Sequence, residues 1–291
     1  MPSAASDQLQ ISNATSFMRY SDYYSRIKAG LLTTPTPRIL VFGCSTGAEL
    51  RTIHTFWPDA EIYGCDIDDD VLDAARAEAP FAHVFKSSNA AIADLGGFDM
   101  VCANSVLCRH PFPKTGYAHE LSFATFESYV TLLMSALRPG GYLFIYNTNY
   151  FIQDLEAAAD LSAITIADAW SGSFVPRVDR DGHVVALPAV LDGVLRRYLI
   201  SGDFDPFDRM RTALFRLAGG PTLALNDRIR LQAGAALAPA VTLPEPSHAQ
   251  AFEPFIAEAR VGADRVCTTY LHNPRAGGWD LHGTHLASER G

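Results

Sequence analysis

The stretch Arg38-Ile-Leu-Val-Phe-Gly-Cys-Ser-Thr-Gly-Ala-Glu-Leu50 decides the fold. Ile39 to Phe42 form a short apolar run suited to a strand buried on both faces, as in a parallel sheet. Gly43 to Gly47 interrupt the run, and Ala48 to Ile53 resume with helical spacing. Such a strand, glycine loop and helix have a physical use. The helix opens with unpaired N–H groups and a partial positive charge, and glycines let a ligand approach the backbone. A glycine loop alone is also what any tight βα turn requires. About 20 residues on, Glu61-Ile-Tyr-Gly-Cys-Asp66 reads as a second strand ending in an acid, a position from which a carboxylate takes a ribose diol.

Working outward, Ala82 to Lys86 reads as a third strand followed by Ser87-Ser88-Asn89. Phe98 to Ala103 is a fourth, ending at Asn104-Ser105. A helix is expected from Phe123 to Ala136, stopped by Leu137-Arg-Pro-Gly-Gly141, with a fifth strand at Tyr142 to Tyr146. Asp68 is placed to cap a helix from Asp69 to Glu78, so the acids Asp68 to Asp70 read as capping and not as metal ligands. This alternation over 38–150 predicts an α/β fold with a doubly wound, mostly parallel sheet. Ligands of such sheets sit at the carboxyl ends of the strands, and here those ends are polar or small while the strands are apolar.

The flanks are read more coarsely. Residues 1–37 form an N-terminal helical lid, in which Phe17, Met18, Tyr20, Tyr23, Tyr24 and Ile27 recur at helical intervals. Their aromatic face serves core packing or covers a ligand pocket. Residues 151–255 are expected to be an inserted cap, with a hairpin about Asp179-Arg-Asp-Gly182 and a helix from Asp205 to Leu217. A terminal antiparallel pair within 256–274 would complete a seven-stranded sheet, leaving 275–291 as a flexible tail.

Composition narrows the function. With 48% hydrophobic and 19% charged residues the chain is globular. No apolar run approaches the length of a membrane span, and Met1 to Gln8 lack the pattern of a signal peptide, so a cytoplasmic protein is expected. A net charge of −9 and only three lysines (28, 86 and 114) argue against nucleic-acid and membrane surfaces as partners. The five cysteines (44, 65, 102, 108 and 267) show no CxxC pair and read as reduced thiols. His282 and His285 lie in the polar tail, so no metal is expected. The oligomeric state stays open, a homodimer included.

The chain resembles the class I S-adenosylmethionine-dependent methyltransferases. The resemblance rests on Val41-Phe-Gly-Cys-Ser-Thr-Gly47, on Asp66-Ile67, on Phe98 to Leu107, and on Leu137-Arg-Pro-Gly-Gly-Tyr-Leu143. It implies S-adenosyl-L-methionine as cofactor. By resemblance Gly43, Cys44, Ser45, Thr46 and Gly47 would pass under its methionine part, and Asp66 would accept the ribose hydroxyls. Ile67 would pack on the adenine, Ser88 and Asn89 would meet its edge, and Asn104 and Ser105 would lie near the sulfonium. The sequence departs from the family where Val41 replaces an acid and Ser45 replaces a glycine. Recognition of the cofactor's amino group then falls to backbone carbonyls or another side chain. The Cys-Ser-Thr-Gly wording is also similar to the chemotaxis-receptor methyltransferases, without a match to their N-terminal helical domain.

Methyl transfer needs alignment, exclusion of water and sometimes a base. The base candidates are His110 and His119. Tyr20, Tyr24, Asn147, Asn149 and Tyr150 are candidates for holding the acceptor. The leading expectation is methylation of a small molecule at oxygen or nitrogen. The alternatives are a protein carboxylate or amide methyltransferase, and a catalytically silent methyltransferase-like binding domain.

Overall fold

A computed structural model describes residues 9–10, 13–109, 112–113, 120–166, 175, 177–191, 194–199, 212–221, 229–232, 255–261, 264–273 and 278–287. At 112–113, 165–166, 184–199 and beyond 221 it describes backbone alone. The main sheet contains β1 (Arg38–Phe42), β2 (Glu61–Asp66), β3 (His83–Lys86), β4 (Phe98–Cys102) and β5 (Leu137–Phe144). Beyond these come β6 (Leu161–Ile166), β7 (Leu214–Leu217) and β8 (Ile229–Gln232), in the order β8-β6-β7-β5-β4-β1-β2-β3. The pairs β1–β2, β1–β4, β2–β3 and β4–β5 are parallel. β7 runs antiparallel to both β5 and β6, and β8 antiparallel to β6. Six strands therefore share one direction, and their carboxyl ends share one edge.

Period-2 alternation explains why the central strands are apolar throughout. From β1, Leu40 and Phe42 join Val101, Leu143, Phe126 and Val130 in one core layer, against the helix Phe123–Ser135. Ile39 and Val41 join Met100, Phe144, Leu50 and Trp57 in the other, against α1 (Ser21–Gly30) and α2 (Ala48–Phe56). Burying one such aliphatic side chain contributes roughly 1.5–3 kcal/mol, and both faces of the sheet collect it. Two further helices, α3 (Asp69–Glu78) and α4 (Asn89–Leu95), are capped by the side chains of Asp68 and Ser88.

The expected doubly wound, mostly parallel class holds, but its antiparallel members come from elsewhere. Phe255–Val261 and Asp264–Asn273 do pair antiparallel, yet they belong to a separate four-stranded sheet with Gly278–Ala287 and Phe112–Pro113. They do not complete the main sheet, and most of the expected tail is a strand. The main sheet is extended instead by β6, β7 and β8 from within the expected cap. Leu214 to Leu217, expected at the end of a helix, are strand β7; the first part of that expected helix, 205–211, lies outside the described residues. The non-local pairing of Phe215 with Leu143 and Ala163 overrides the local spacing. The hairpin about Asp179 to Gly182 is present, with Arg177–Val178 against Val184–Leu191. Among the described residues no helix is long and apolar enough to cross a membrane.

Candidate functional site

A cavity of about 400 Å³ opens at the carboxyl edge of the sheet, where β1, β2, β3 and β4 end. Gly43 turns the chain out of β1 with φ 73°, and its N–H and that of Cys44 donate to the Cys65 carbonyl at 2.8 and 2.9 Å. A Cβ on Gly43 would lie 2.4 Å from a Val106 methyl on the cavity wall. Gly43→Ala is therefore expected to destabilise the fold by about 1–2 kcal/mol from the left-handed backbone alone, read as a lower urea midpoint. Gly47 (φ 90°) opens α2 and lets it approach α3, a Cβ there meeting Ala75 Cα at 3.1 Å.

The Asp66 carboxylate is fixed from behind. Ser45 N–H donates to Oδ2 at 2.9 Å, Ile67 N–H to Oδ1 at 2.8 Å and Asp68 N–H to Oδ1 at 3.3 Å. The cap of α3 is Asp68, whose Oδ1 accepts from Asp70 N–H at 3.0 Å, so Asp66 is not spent as a helix cap. Ile67, Ser88 and Asn89 border the same cavity, and Ile67 is 38% exposed although large and apolar.

Glu49, in the first turn of α2, is 7% exposed and faces the cavity. Its Oε1 accepts from the Tyr24 hydroxyl and, at 2.6 Å, from Asn104 Nδ2. Burial raises the Glu49 pKa, and the two donors only partly offset that. Asn104 Oδ1 is buried without a hydrogen-bond partner among the described residues. Beyond β4, Ser105 Oγ meets the Tyr20 hydroxyl at 2.8 Å, Asn147 Nδ2 at 2.8 Å and Arg19 Nη2 at 3.4 Å. Burial pushes the Tyr20 phenol far above its ordinary range, making it a neutral donor and not a base near neutral pH. Ser45 Oγ donates to the Asn13 carbonyl at 2.9 Å, so residues 13–20 are tied across the strand ends.

Backbone strain gathers here. Met18, Tyr20, Ser45, Ser105 and Asn147 are the non-glycine residues with positive φ among those described. Each such conformation costs about 1–2 kcal/mol and persists only where neighbours hold it, a pattern concentrated at functional sites.

Of the residues expected from sequence, Gly43, Ser45, Asp66, Ile67, Ser88, Asn89, Asn104, Ser105 and Tyr20 line this cavity. Cys44, Thr46 and Gly47 do not, the Cys44 side chain being buried against Gly64. Asn147 is 4% exposed, does not itself line the cavity, and donates from Nδ2 to Ser105 Oγ on its wall at 2.8 Å. Tyr24 does not line the cavity but orients Glu49. Asn149 accepts from Arg109 N–H and is fully buried, a structural position. Tyr150 is likewise core: fully buried, with its hydroxyl donating to the Leu121 carbonyl at 2.7 Å. His110 and His119 lie outside the described residues. Of the two expected roles for the N-terminal aromatic face, core packing is the one α1 shows. Tyr24 and Ile27 are fully buried, so α1 belongs to the core, and the segment just before it covers the cavity. Glu49 and Arg19 were not singled out by sequence, although both face the cavity.

Residues 40–143 match a family model described as a methyltransferase domain. Among solved structures, an O-methyltransferase family protein from Burkholderia thailandensis is 17% identical, with TM-score 0.34, over 48% of this chain and 41% of that one. A plantazolicin methyltransferase in complex with SAH is 16% identical, with TM-score 0.34, over 43% and 44%. An amino pentose methyltransferase from Micromonospora echinaspora is 13% identical, with TM-score 0.36, over 92% and 73%. The chain thus spans less than half the length of the first two. Residues 40–143, which carry most of β1, all of β2 to β4 and nearly all of β5 on the mostly parallel part of the sheet, are similar to a methyltransferase domain.

Proposed function

We propose that the chain transfers a methyl group from S-adenosylmethionine to an oxygen or nitrogen atom of a small-molecule acceptor. The observation that carries this reading is a single cavity bordered by Asp66, Asn89, Glu49 and Asn104. Those groups fit the cofactor's chemistry. Asp66 would take the ribose hydroxyls, Ile67 an adenine face, and Ser88 with Asn89 the adenine edge. The buried Glu49 carboxyl and Asn104 Oδ1, which has no hydrogen-bond partner among the described residues, would take the ammonium in place of the acid missing at Val41. Bound there, the cofactor supplies an already activated methyl on a sulfonium, so no covalent bond to the protein is needed.

The residues of this chain then align the acceptor and exclude water. Tyr20, Ser105 and Asn147 offer fixed hydrogen-bond groups at the ends of β4 and β5. The tie of residues 13–20 across the cavity, through Ser45 to Asn13 and Ser105 to Tyr20, favours a small acceptor over a peptide lying in an open groove. Calorimetric titration with S-adenosylmethionine tests the reading. Micromolar binding is expected, and an absence of both heat and thermal shift at millimolar cofactor would overturn it.

A further inference from the structure

The groups assigned to the cofactor border the ends of β3, β2, β1 and β4, which leaves the far side of the cavity without a ligand. Arg19 faces that side. Its Nη2 donates to Ser105 Oγ at 3.4 Å, and the same hydroxyl meets Asn147 Nδ2, just past the end of β5, at 2.8 Å. Arg19 therefore meets the cavity at the end of β4, on the side that faces β5.

Charge is sorted along the cavity in the same sense. Asp66 and Asp68 border the cofactor end, while Arg19 is the cation on the wall among the described residues. Arg19 is steadied by the Ala14 carbonyl at 3.0 Å and by the Tyr20 ring at 5.0 Å, and no ion pair holds it among the described side chains. The carboxyl whose field reaches it, Glu49, is already engaged by Tyr24 and Asn104. Arg177, 5% exposed and bonded to the Thr148 and Tyr150 carbonyls, adds positive field on this side. So does Arg109, offset in part by Glu120 Oε2 at 3.8 Å from its Nε; all three arginines act on the Cys108 thiol. A guanidinium is a planar fork that matches a carboxylate with two parallel hydrogen bonds.

We propose that Arg19 binds a carboxylate carried by the acceptor, so that the acceptor is an anionic small molecule anchored at the β4–β5 side of the cavity. This rests on the methyl-transfer reading above. The test uses the full chain, methyl-labelled S-adenosylmethionine, and hydroxybenzoates and aminobenzoates each beside its carboxamide. Label should pass to the acids at least about tenfold faster than to the amides. Arg19→Gln should lower kcat/KM for the acids by about 100-fold and change S-adenosylhomocysteine affinity by less than about threefold, and Arg19→Lys should recover part of the loss. Normal S-adenosylhomocysteine binding with no preference for acids would overturn the proposal and leave the donor assignment standing. So would an Arg19→Gln variant that loses cofactor affinity but keeps the acid-to-amide ratio, since Arg19 would then serve the cofactor's own carboxylate. Failure to bind S-adenosylhomocysteine at all would remove both readings.

Discussion

Asp66→Ala is expected to weaken S-adenosylhomocysteine binding by about 100-fold or more, because hydrogen bonds to a charged group contribute about 1.5–3 kcal/mol each and two ribose hydroxyls would lose theirs. The carboxylate is well prepared for that task. Three backbone N–H groups, from Ser45, Ile67 and Asp68, hold it in place, so little ordering remains to be done when a diol arrives. The same three contacts make the loop between β1 and α2 dependent on Asp66, since the Ser45 N–H would lose its acceptor. Asp66→Asn separates the two effects. An asparagine can still accept from Ile67 and Asp68, but it has only one carbonyl oxygen and no charge. Calorimetry should therefore rank wild type above Asn above Ala, with both variants keeping a cooperative thermal transition. Equal affinity in all three proteins would show that Asp66 only organises the loop. A helix-cap role predicts lost stability alone, and Asp68 already fills that role.

How much of this site is legible in the sequence depends on how local each signal is. Strand β1, the glycine loop and Asp66 lie within about thirty residues and obey local rules of burial, turn and capping, so their arrangement follows from spacing. Strands β6 and β7 do not. β7 enters between β5 and β6, partners that lie far back in the chain, and Leu214-Phe215-Arg216-Leu217 is as compatible with a helix face as with a strand. Tyr150 misled for a related reason: its place after the fifth strand is right for a ligand contact, but its ring turns into the core beside Phe123 and Phe126. Glu49 was hidden by a plausible lesser role. An acid in the first turn of a helix is favoured by the dipole even when exposed. Helical phase offered the stronger clue, since Glu49 shares its face with Thr52 and Ile53, both fully buried. An acid on the buried face of a helix that starts at a glycine loop calls for a partner.

Glu49→Gln is the second large expected effect, and it should move stability and affinity in opposite directions. Burial raises the Glu49 pKa in the folded, cofactor-free protein above its unfolded value, despite the hydrogen bonds from Tyr24 and Asn104. Folding then favours the protonated acid. Its stabilising contribution is fully present below the unfolded pKa and is lost as pH rises through the folded one, so near neutral pH Glu49 burdens the empty protein. Glutamine keeps the shape and cannot ionise. The cofactor-free variant should melt at a higher temperature than wild type near pH 7, with the difference shrinking as pH falls toward the ordinary carboxylate range. Binding should go the other way. An ammonium placed between the Glu49 carboxylate and the open Asn104 Oδ1 restores the charge balance that burial disturbs, and its loss should weaken S-adenosylmethionine by about 10- to 100-fold. The wild type should also release protons on binding at a pH where Glu49 is partly protonated, because the bound ammonium pulls its pKa down. Calorimetry in two buffers of different ionisation enthalpy would detect that release, and Glu49→Gln should abolish it. A variant that loses stability and keeps full affinity would instead make Glu49 a structural brace for Tyr24 and Asn104, and the ammonium would need another partner on the cavity wall.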